Sequence, residues 1–577
     1  MSASDYSVAP SENARLSGIN LGEDMSLGDV DNSFRQMMAD TKGLYLSLGS
    51  PVEAPADGVT DASPALQAAI TAGDCVIPLR PQPYAVGTQI TLPQGRHVLI
   101  APGTRFKWIG ATSTSPAGAL FLMADNTFIG CPGDSEFRLE CDGETPFLSV
   151  VAGFAVQNVR VVGAFGLNCT QAYFDVGLGG VPYDDVVTTA MKAAGDTRVI
   201  NTSRNITIIG GGCDFPDHSP SGALGQPERA GALMAYCEQW EIRDARYTGS
   251  YAAVQYWGGD SGLAPWQDMG RLGPDAERKN VGGRIANCYG RRLGAGFWGS
   301  MGRDIQVTDS RCYDIGDVGH DHEGSVNITM TGCHGEDCRN GAYATFSYSK
   351  RIAIVGCTGR STVKIYPLFR CYNVSQTQNN DDITIQGGKW ECTDPTGPGS
   401  IDTAFGPCRQ ISILGTDLIN TVLALNTWNS CRIIVKSNAL TFPITSPVAF
   451  DAIAAGGTND MGFGHPEVHV ADNTVNAAVP QPAGSRAIYV VSADFNSSPH
   501  YNIACNSVWM PLSDGSYAPL GAAHSGQNGG LAAIFVFFGN RTDGPIQTSS
   551  AGAASAGSFF ARQNYSSINA DVGLTAV

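Results

Sequence analysis

Residues 320–323 place four ionisable side chains in a row, His-Asp-His-Glu, in a chain in which only 15% of residues are charged. Side chains of an extended strand alternate between its two faces, so Asp321 and Glu323 would share one face and the two histidines the other. Aligned on the preceding repeat, residues 321–324 fall opposite the Gly-Phe-Trp-Gly segment at 296–299. Ionisable groups are costly to bury in such surroundings, and a local break in pattern predicts a functional site.

Further carboxylates flank this segment. Asp337 follows Asp314 by 23 residues, a step that matches the local repeat, so we expect the two to lie on neighbouring rungs about 4.8 Å apart. Carboxyl groups so close raise one another's pKa, and glycoside hydrolysis needs a protonated carboxyl beside an ionised one. We predict such hydrolysis, with Glu323 or Asp321 as the acid and Asp314, Asp317 or Asp337 as its partner. The catalytic candidates are Asp314, Asp317, His320, Asp321, His322, Glu323 and Asp337.

Other roles compete for the same residues. A lyase acting on a uronic-acid polymer would need a base and a cation, which the two histidines, Tyr343 and Arg339 could supply. The histidines and carboxylates also have the mixed nitrogen and oxygen ligands of a metal site, although we predict neither a metal nor a cofactor. Alternatively, the charges form a solvated ladder with arginines as counter-ions. Fallback catalytic candidates lie upstream at Asp214, Asp217 and Glu238.

Aromatic residues near these segments favour a carbohydrate surface. Sugar rings have apolar faces, and aromatic side chains offer flat contact area at low entropy cost. Trp257 and Trp266 stand in a long interruption of the repeat, at 250–283, where solenoids often bind ligands. The predicted substrate-binding residues are Tyr256, Trp257, Trp266, Trp298, Arg339 and Tyr343.

A recurring phrase supplies the scaffold for these residues. Apolar β-branched residues alternate with polar ones, and are often followed by Gly or Gly-Cys, at 205–210, 327–333, 351–357, 382–387 and 410–415. Between residues 305 and 468 the step from one phrase to the next is 22 to 35 residues. Alternation with period two indicates strands with one buried face, and repeats of this length are typical of solenoids. Stacked coils can bury a face that one short strand cannot, so we predict an all-β parallel β-helix.

Composition narrows the classes of partner. The net charge of −17 argues against a nucleic-acid partner, which would require basic patches. No run approaches the ~18 apolar residues of a membrane span, and the first residues lack the features of a signal peptide. Of the 16 cysteines, Cys333 and Cys357 occupy the same position in successive phrases. Such placement predicts free, buried thiols rather than disulfides.

The segment 57–70 reads Asp-Gly-Val-Thr-Asp-Ala-Ser-Pro-Ala-Leu-Gln-Ala-Ala-Ile. It predicts a turn and then a helix that Ser63 caps and Pro64 begins, covering the open end of the first coil. The motif resembles the entry to pectate-lyase-like right-handed β-helices, which is common in bacteriophage tailspikes and capsule depolymerases. Residues 11–40 likewise resemble the short segment that attaches such spikes to the virion. No catalytic motif of that family is matched residue by residue.

The resemblance implies a homotrimeric tailspike of the virion tail, without a membrane partner, that acts on a bacterial surface polysaccharide such as a capsule, exopolysaccharide or O-antigen. It implies an attachment segment at 1–45 that joins the phage tail or baseplate, and a right-handed β-helix at 46–475. Beyond about residue 475 the repeat loosens, and we predict from the composition a β-rich C-terminal module at 476–577 for trimerisation or carbohydrate binding. A receptor-binding spike that does not cut its ligand is the non-enzymatic alternative.

Overall fold

The computed structural model describes residues 50–110, 118–133, 135–141, 148–168, 174–176, 203–215, 230–258, 278–372, 380–405, 408–426, 432–457, 467–492, 500–524, 534–542, 545–550, 558–562, 564 and 574–576. The predicted attachment segment at 1–45 lies outside them. The described strands form three long parallel sheets, here called A, B and C, to which the coils contribute strands in turn. Parallel strands joined by such crossovers wind with a right-handed sense, and the chain is a right-handed parallel β-helix, as predicted.

The strands of sheet A are Ser50–Pro51, Cys75–Ile77, His97–Ile100, Phe128–Gly130, Gln157–Val162, Ser203–Ile209, Cys237–Arg243, Asn280–Val281, Arg284–Ala286, Gly302–Thr308, Val326–Thr331, Lys350–Val355, Asp381–Gln386, Gln410–Leu414, Arg432–Lys436, Glu467–Ala471, His500–Ala504, Ile534–Phe538 and Ser558–Arg562. The strands of sheet B are Tyr84–Val86, Arg105–Trp108, Phe137–Glu140, Ala164–Leu167, Gly212–Asp214, Arg246–Thr248, Tyr289–Leu293, Arg311–Ile315, His334–Cys338, Thr358–Ser361, Lys389–Cys392, Asp417–Ile419, Ala439–Phe442, Thr474–Ala477, Ser507–Trp509 and Arg541–Thr542. The strands of sheet C are Ile90–Thr91, Gly118–Met123, Leu148–Gly153, Phe174–Val176, Ala230–Ala235, Ala252–Trp257, Ala295–Ser300, Val318–Glu323, Gly341–Phe346, Phe369–Tyr372, Gly399–Phe405, Thr421–Asn426, Asp451–Gly457, Arg486–Ser492, Leu520–His524, Ile546–Ser550 and Leu574–Ala576.

The recurring phrases are the strands of sheet A, and their spacing is the length of one coil. Their first apolar residues pair rung to rung and are buried, forming the column Ile305, Ile328, Ile352, Ile383, Ile411, Ile433 and Val468. Burying one aliphatic side chain contributes about 1.5–3 kcal/mol, so a column that repeats along the axis stabilises the whole solenoid.

The polar residue that opens a phrase and the glycine that closes it have a common cause. Asn327 and Asp382 open their phrases with φ of 58° and 54°, and Gly332 and Gly387 close theirs with φ of 64° and 66°. Left-handed backbone is easiest for Gly and tolerated by Asn and Asp. The chain therefore turns sharply at both ends of each of these strands, which shapes the coil.

One helix, Ser63–Ala72, covers the first coil, with Leu66 and Ile70 buried against it. The side-chain amide of Gln67 donates to the carbonyl of Thr91 at 3.0 Å and accepts from its N–H at 2.8 Å. Gln67 thus makes the two backbone hydrogen bonds with Thr91 that a neighbouring strand would make at the open edge of sheet C. The predicted cap is wrong in detail: the helix includes Ser63, whose N–H and hydroxyl both donate to Asp61.

Described residues beyond 475 continue the same coils, which corrects the prediction of a separate C-terminal module. Their strands pair in parallel register with those before them, for example Val470 with Ile503 and then Phe537. At the corner between sheets A and B, buried asparagines hydrogen-bond from rung to rung through Nδ2 and Oδ1, at 2.9 to 3.0 Å. This asparagine ladder consists of Asn438, Asn473, Asn506, Asn540 and Asn564.

Earlier coils place small residues and thiols at the same corner. Cys333 and Cys357 lie one above the other there, as predicted, and fourteen described cysteines are free, all of them buried except Cys505. Cys169 and Cys431 lie outside the described residues. Within the part of the chain that the structure covers, no helix combines the length and apolar character needed to cross a bilayer.

We predict that Asn473→Leu destabilises the protein strongly. Oδ1 of Asn473 accepts from both the N–H and the Nδ2 of Asn438 at 3.0 and 2.9 Å, so the substitution leaves buried donors unsatisfied. Each such group costs about 1–3 kcal/mol, and calorimetry should show a clearly lower melting temperature. Asn476→Leu, on the exposed face of the next strand, is the matched control. Equal melting temperatures for the two variants would contradict the ladder's role.

Candidate functional site

The ionisable segment lies in the sheet C strand Val318–Glu323, all of which is buried. Asp321 pairs with Trp298 and Glu323 with Ser300 of the preceding coil. The sequence alignment that set Asp321 against Gly296 was therefore two residues out of register. The alternation itself is as predicted: the histidines point into the coil and the carboxylates point outward.

The carboxylates of this strand and of the corner before it are here called the acidic cluster, which consists of Asp317, Asp321 and Glu323. Burial raises the pKa of Asp321 well above its ordinary value, and the nearby charges of Glu323 and Asp317 raise it further. Oδ1 of Asp321 is buried and has no hydrogen-bond partner among the described residues. Burial and the neighbouring carboxylates therefore favour the protonated form of Asp321.

Glu323 has a different environment. The hydroxyl of Ser300 donates to its Oε2 at 2.5 Å, and a donor of this kind stabilises the ionised form of a carboxylate. Two alternate residues of one strand are ~6.6 Å apart along the backbone. The strand therefore holds an acid and a hydrogen-bonded carboxylate side by side on one face.

Asp317 lies at the corner between sheets B and C. Burial raises its pKa, while a hydrogen bond from Asn340 Nδ2, at 2.7 Å, opposes that rise. The backbone carbonyl of Asn340 in turn accepts from the hydroxyl of Tyr372 at 3.2 Å. The corner thus links the acidic cluster to the next coils.

Two rungs further along the column of Asp321, past Ala344, lies Arg370, followed by Asp402. Arg370 Nε and Nη2 both donate to Asp402 Oδ2 at 3.3 Å, and its Nη1 donates to the Tyr372 hydroxyl at 3.0 Å. Burial lowers the pKa of Arg370, but Asp402 and Tyr372 outweigh that effect and raise it overall. Because Ala344 carries only a methyl group, the cation and the acid face each other across one small residue.

Arg370, Tyr372, Asp402 and Ser300 were missed by the sequence analysis. These residues could have been found from the register of the sheet C strands, which aligns them with Asp321 and Glu323. That register cannot be read from the sheet A phrases, because the connections between sheets vary in length.

The inward histidines are part of the core, which corrects their prediction as catalytic residues. His320 stacks on Tyr343 with ring centroids 4.9 Å apart and planes 9° apart, and its Nε2 donates to the carbonyl of His334 at 3.2 Å. His322 Nδ1 shares a 2.7 Å hydrogen bond with the hydroxyl of Tyr256. Burial lowers the pKa of His320 to about 4 and that of His322 to about 3.

The same geometry overturns the metal alternative for this segment, because the sheet separates the histidines from the carboxylates. Among the described residues no group of three or more His, Cys, Asp or Glu side chains could hold a metal ion.

The predicted aromatic surface is also corrected in part. Tyr256 and Tyr343 lie in the core and are essentially inaccessible, and Trp257 is fully buried. Trp298 lies on the outer face beside Asp321 and is 8% exposed, with its ring edge-on to Tyr251 at 5.9 Å. Arg339 is exposed, and Trp266 lies outside the described residues.

Asp314 and Asp337 are rung neighbours, as predicted, because the residues on either side of them pair. They lie near the C-terminal ends of two adjacent sheet B strands, in a groove with Tyr289 and Tyr313, rather than in the acidic cluster. Among the fallback candidates, Glu238 forms an exposed ion pair with Arg204 at 2.9 Å. Asp214 lies in sheet B, and Asp217 and His218 lie outside the described residues.

Comparison with known proteins gives weak structural likenesses. Gene product 12 of bacteriophage phi29, in its pre-mature form, has a TM-score of 0.43 and 12% identity over 93% of this chain and 75% of that one. The endo-xylogalacturonan hydrolase of Aspergillus tubingensis has a TM-score of 0.39 and 10% identity over 66% of this chain and 96% of that one. The gp42 tailspike of Acinetobacter phage vb_AbaP_AS12 has a TM-score of 0.30 and 10% identity over 74% of this chain and 61% of that one.

No protein-family model and no curated relative matches the chain. The fold described above rests on the chain's own strand pairing.

We predict that the buried histidines make the protein sensitive to acid. The unfolded chain binds a proton at His320 below pH ~6.5, whereas the folded chain resists protonation until its pKa of about 4. The free energy of unfolding should therefore fall as pH falls through this window, by about 3 kcal/mol for His320 alone.

The variant His320→Phe, which continues the stack between Phe297 and Tyr343, should flatten this decline. The melting temperature should be measured from pH 7 to about pH 4, a range that spans the ordinary pKa of His. The proteins compared are the wild type, His320→Phe and the exposed control His500→Phe. Parallel curves for the wild type and His320→Phe would contradict the prediction.

Proposed function

We propose that this chain is a phage tailspike that binds a bacterial surface polysaccharide and hydrolyses it at the outer face of sheet C. The observation that carries the proposal is that Asp321, whose protonated form is favoured by burial and by the neighbouring carboxylates, shares a strand face with Glu323, a carboxylate that accepts a hydrogen bond from Ser300. Glycoside hydrolysis needs these two states at the same time. The entry motif at 57–70, typical of tailspikes and capsule depolymerases, supports the polysaccharide as substrate.

In the proposed mechanism Asp321 donates its proton to the glycosidic oxygen as the bond to the leaving group breaks. Glu323 acts on the opposite side of the bond, as base for a water molecule or as nucleophile. Ser300 orients the Glu323 carboxylate, while burial, and after it the charges of Glu323 and Asp317, keeps the pKa of Asp321 raised. Trp298, next to Asp321 on the same face, offers an edge against which a sugar ring can pack.

A lyase acting on a uronic-acid polymer is the second candidate, favoured by the contact between Arg370 and Tyr372. A guanidinium could neutralise the substrate carboxylate and a phenol could remove a proton. However, Arg370 already binds Asp402, and burial raises the pKa of Tyr372 even though Arg370 opposes that effect. Both features make the pair less suited to elimination than the carboxyl pair is to hydrolysis.

The enzymatic test is incubation with purified surface polysaccharides from a panel of bacterial strains. New reducing ends without the ultraviolet absorbance of an unsaturated sugar would support hydrolysis. The same ends with that absorbance would indicate a lyase. Binding without new ends on any polymer would leave a non-catalytic receptor-binding spike.

We predict that Glu323→Gln and Asp321→Asn each lower turnover by a factor on the order of 10² or more, as loss of an acid or base does. Neither substitution removes an apolar contact, so the melting temperature should not fall and polymer binding should persist. The rate of reducing-end release is the measurement, with Glu467→Gln, an exposed ion-pair residue of sheet A, as control. Full activity in both site variants would refute the site.

We also propose that the chain assembles as a homotrimer, in line with the tailspike resemblance. Light scattering of the full chain at micromolar concentration should give three times the 60.6 kDa mass of one chain. A single species of 60.6 kDa would contradict this assembly.

A further inference from the structure

We propose a second carbohydrate site, separate from the acidic cluster, on the outer face of sheet B. The structure has a groove of about 340 Å³ there. Its lining combines two aromatic rings, one cation and three carboxylates: Tyr289, Arg291, Tyr313, Asp314, Glu336 and Asp337. Concave sites with a few convergent polar groups are where small ligands bind.

The aromatic rings form a stepped platform. Tyr289 and Tyr313 lie on successive rungs with ring centroids 5.4 Å apart, and Tyr313 continues to His334 at 5.3 Å. Tyr289 is 39% exposed, although large apolar side chains on this solenoid are mostly buried. A glycan chain that runs along the solenoid axis can therefore place successive sugar units against successive rings.

Two of the three carboxylates already have partners. Glu336 accepts from Arg360 at 2.6 Å and contacts His334 at 3.3 Å. Asp337 Oδ1 accepts from both the N–H and the hydroxyl of Thr362, at 2.7 and 2.9 Å. They shape the floor of the groove and are not its main binding groups.

Asp314 and Arg291 are the groups left to bind. Both are exposed, and Arg291 forms no ion pair within the described part of the chain. A carboxylate accepts from hydroxyl groups, and a guanidinium donates through a planar fork. Together they can hold adjacent hydroxyls of a sugar that rests on the tyrosines.

The charge of the groove selects the class of sugar. Even with Glu336 paired to Arg360, Asp314 and Asp337 outnumber Arg291 in the lining and would repel a uronate, because like charges in a shared site are unfavourable. The site therefore takes a neutral hexose or an N-acetylated hexosamine unit of a glycan chain. Binding here needs none of the groups that would break a glycosidic bond on sheet C, so either site can fail alone.

The test uses three probes with the full-length protein: hexasaccharides of glucose, of N-acetylglucosamine and of galacturonate. Saturation-transfer NMR should detect binding of at least one of the first two at millimolar concentration. The double variant Tyr289→Ala and Tyr313→Ala should weaken that binding by about tenfold, and Arg291→Ala should weaken it too. Glu323→Gln should bind as the wild type does.

Trp509→Ala is the matched control, because Trp509 is an exposed aromatic residue of the same sheet, 47% accessible, that stacks on Tyr517 away from the groove. The variants at Tyr289, Tyr313, Arg291 and Trp509 should keep the wild-type melting temperature, since these side chains lie on the outer face of sheet B. The inference is overturned if neither neutral hexasaccharide binds or if only galacturonate does. It is also overturned if the tyrosine double variant binds no more weakly than Trp509→Ala does.

Discussion

In the described strands of this molecule, each side chain is stacked on the side chain at the paired position of the next coil. Rungs ~4.8 Å apart leave no room for a residue that does not suit its neighbours above and below. The constraint produces the aliphatic column of sheet A, the asparagine ladder and the repeated left-handed corners. It also determines where chemistry can occur, because a charged column is stable only where its members find donors, partners or protons.

In the acidic cluster, sheet C does not stack like side chains on like. Asp321 sits between Trp298 and Ala344, and Glu323 between Ser300 and Phe346, so neither has a carboxylate directly above or below it. The charges are spread diagonally instead, over Asp317 at the corner and the Arg370–Asp402 pair two rungs away. Two carboxyl groups can then share one strand face without the repulsion that stacked carboxylates would cause.

The sequence was sufficient for the fold because sheet A strands bury only one face and are closed by glycine, so Ile328 and Gly332 mark them clearly. It was insufficient for sheet C. There, strand Val318–Glu323 is buried on both faces, the alternation that gives register is lost, and the alignment slipped by two residues. The predicted surface position of Tyr343 and Tyr256 was wrong for a second reason. A tyrosine whose hydroxyl is hydrogen-bonded packs in a solenoid core as readily as it binds sugar.

The C-terminal coils show a different limit. Beyond 475 the apolar phrase weakens, and composition alone indicated a new module. The continuity lies in a polar residue, because Asn473 and Asn506 hold the corner that cysteines hold earlier in the chain. A search for repeated asparagines at coil spacing would have detected it.

The two faces of the strand Val318–Glu323 contribute oppositely to stability, which explains how the protein can keep buried carboxyl groups on one of them. Burying Asp321 opposes stability, because a desolvated carboxyl lacks the solvent that would satisfy it. The opposite face of the same strand compensates, since His320 is stacked between Phe297 and Tyr343 and His322 is bound by Tyr256. Neutral histidines suit this interior because they stack as aromatic rings and still hydrogen-bond. The core thus fixes the strand's position, and the outward carboxyls are held in place by residues that take no part in the chemistry.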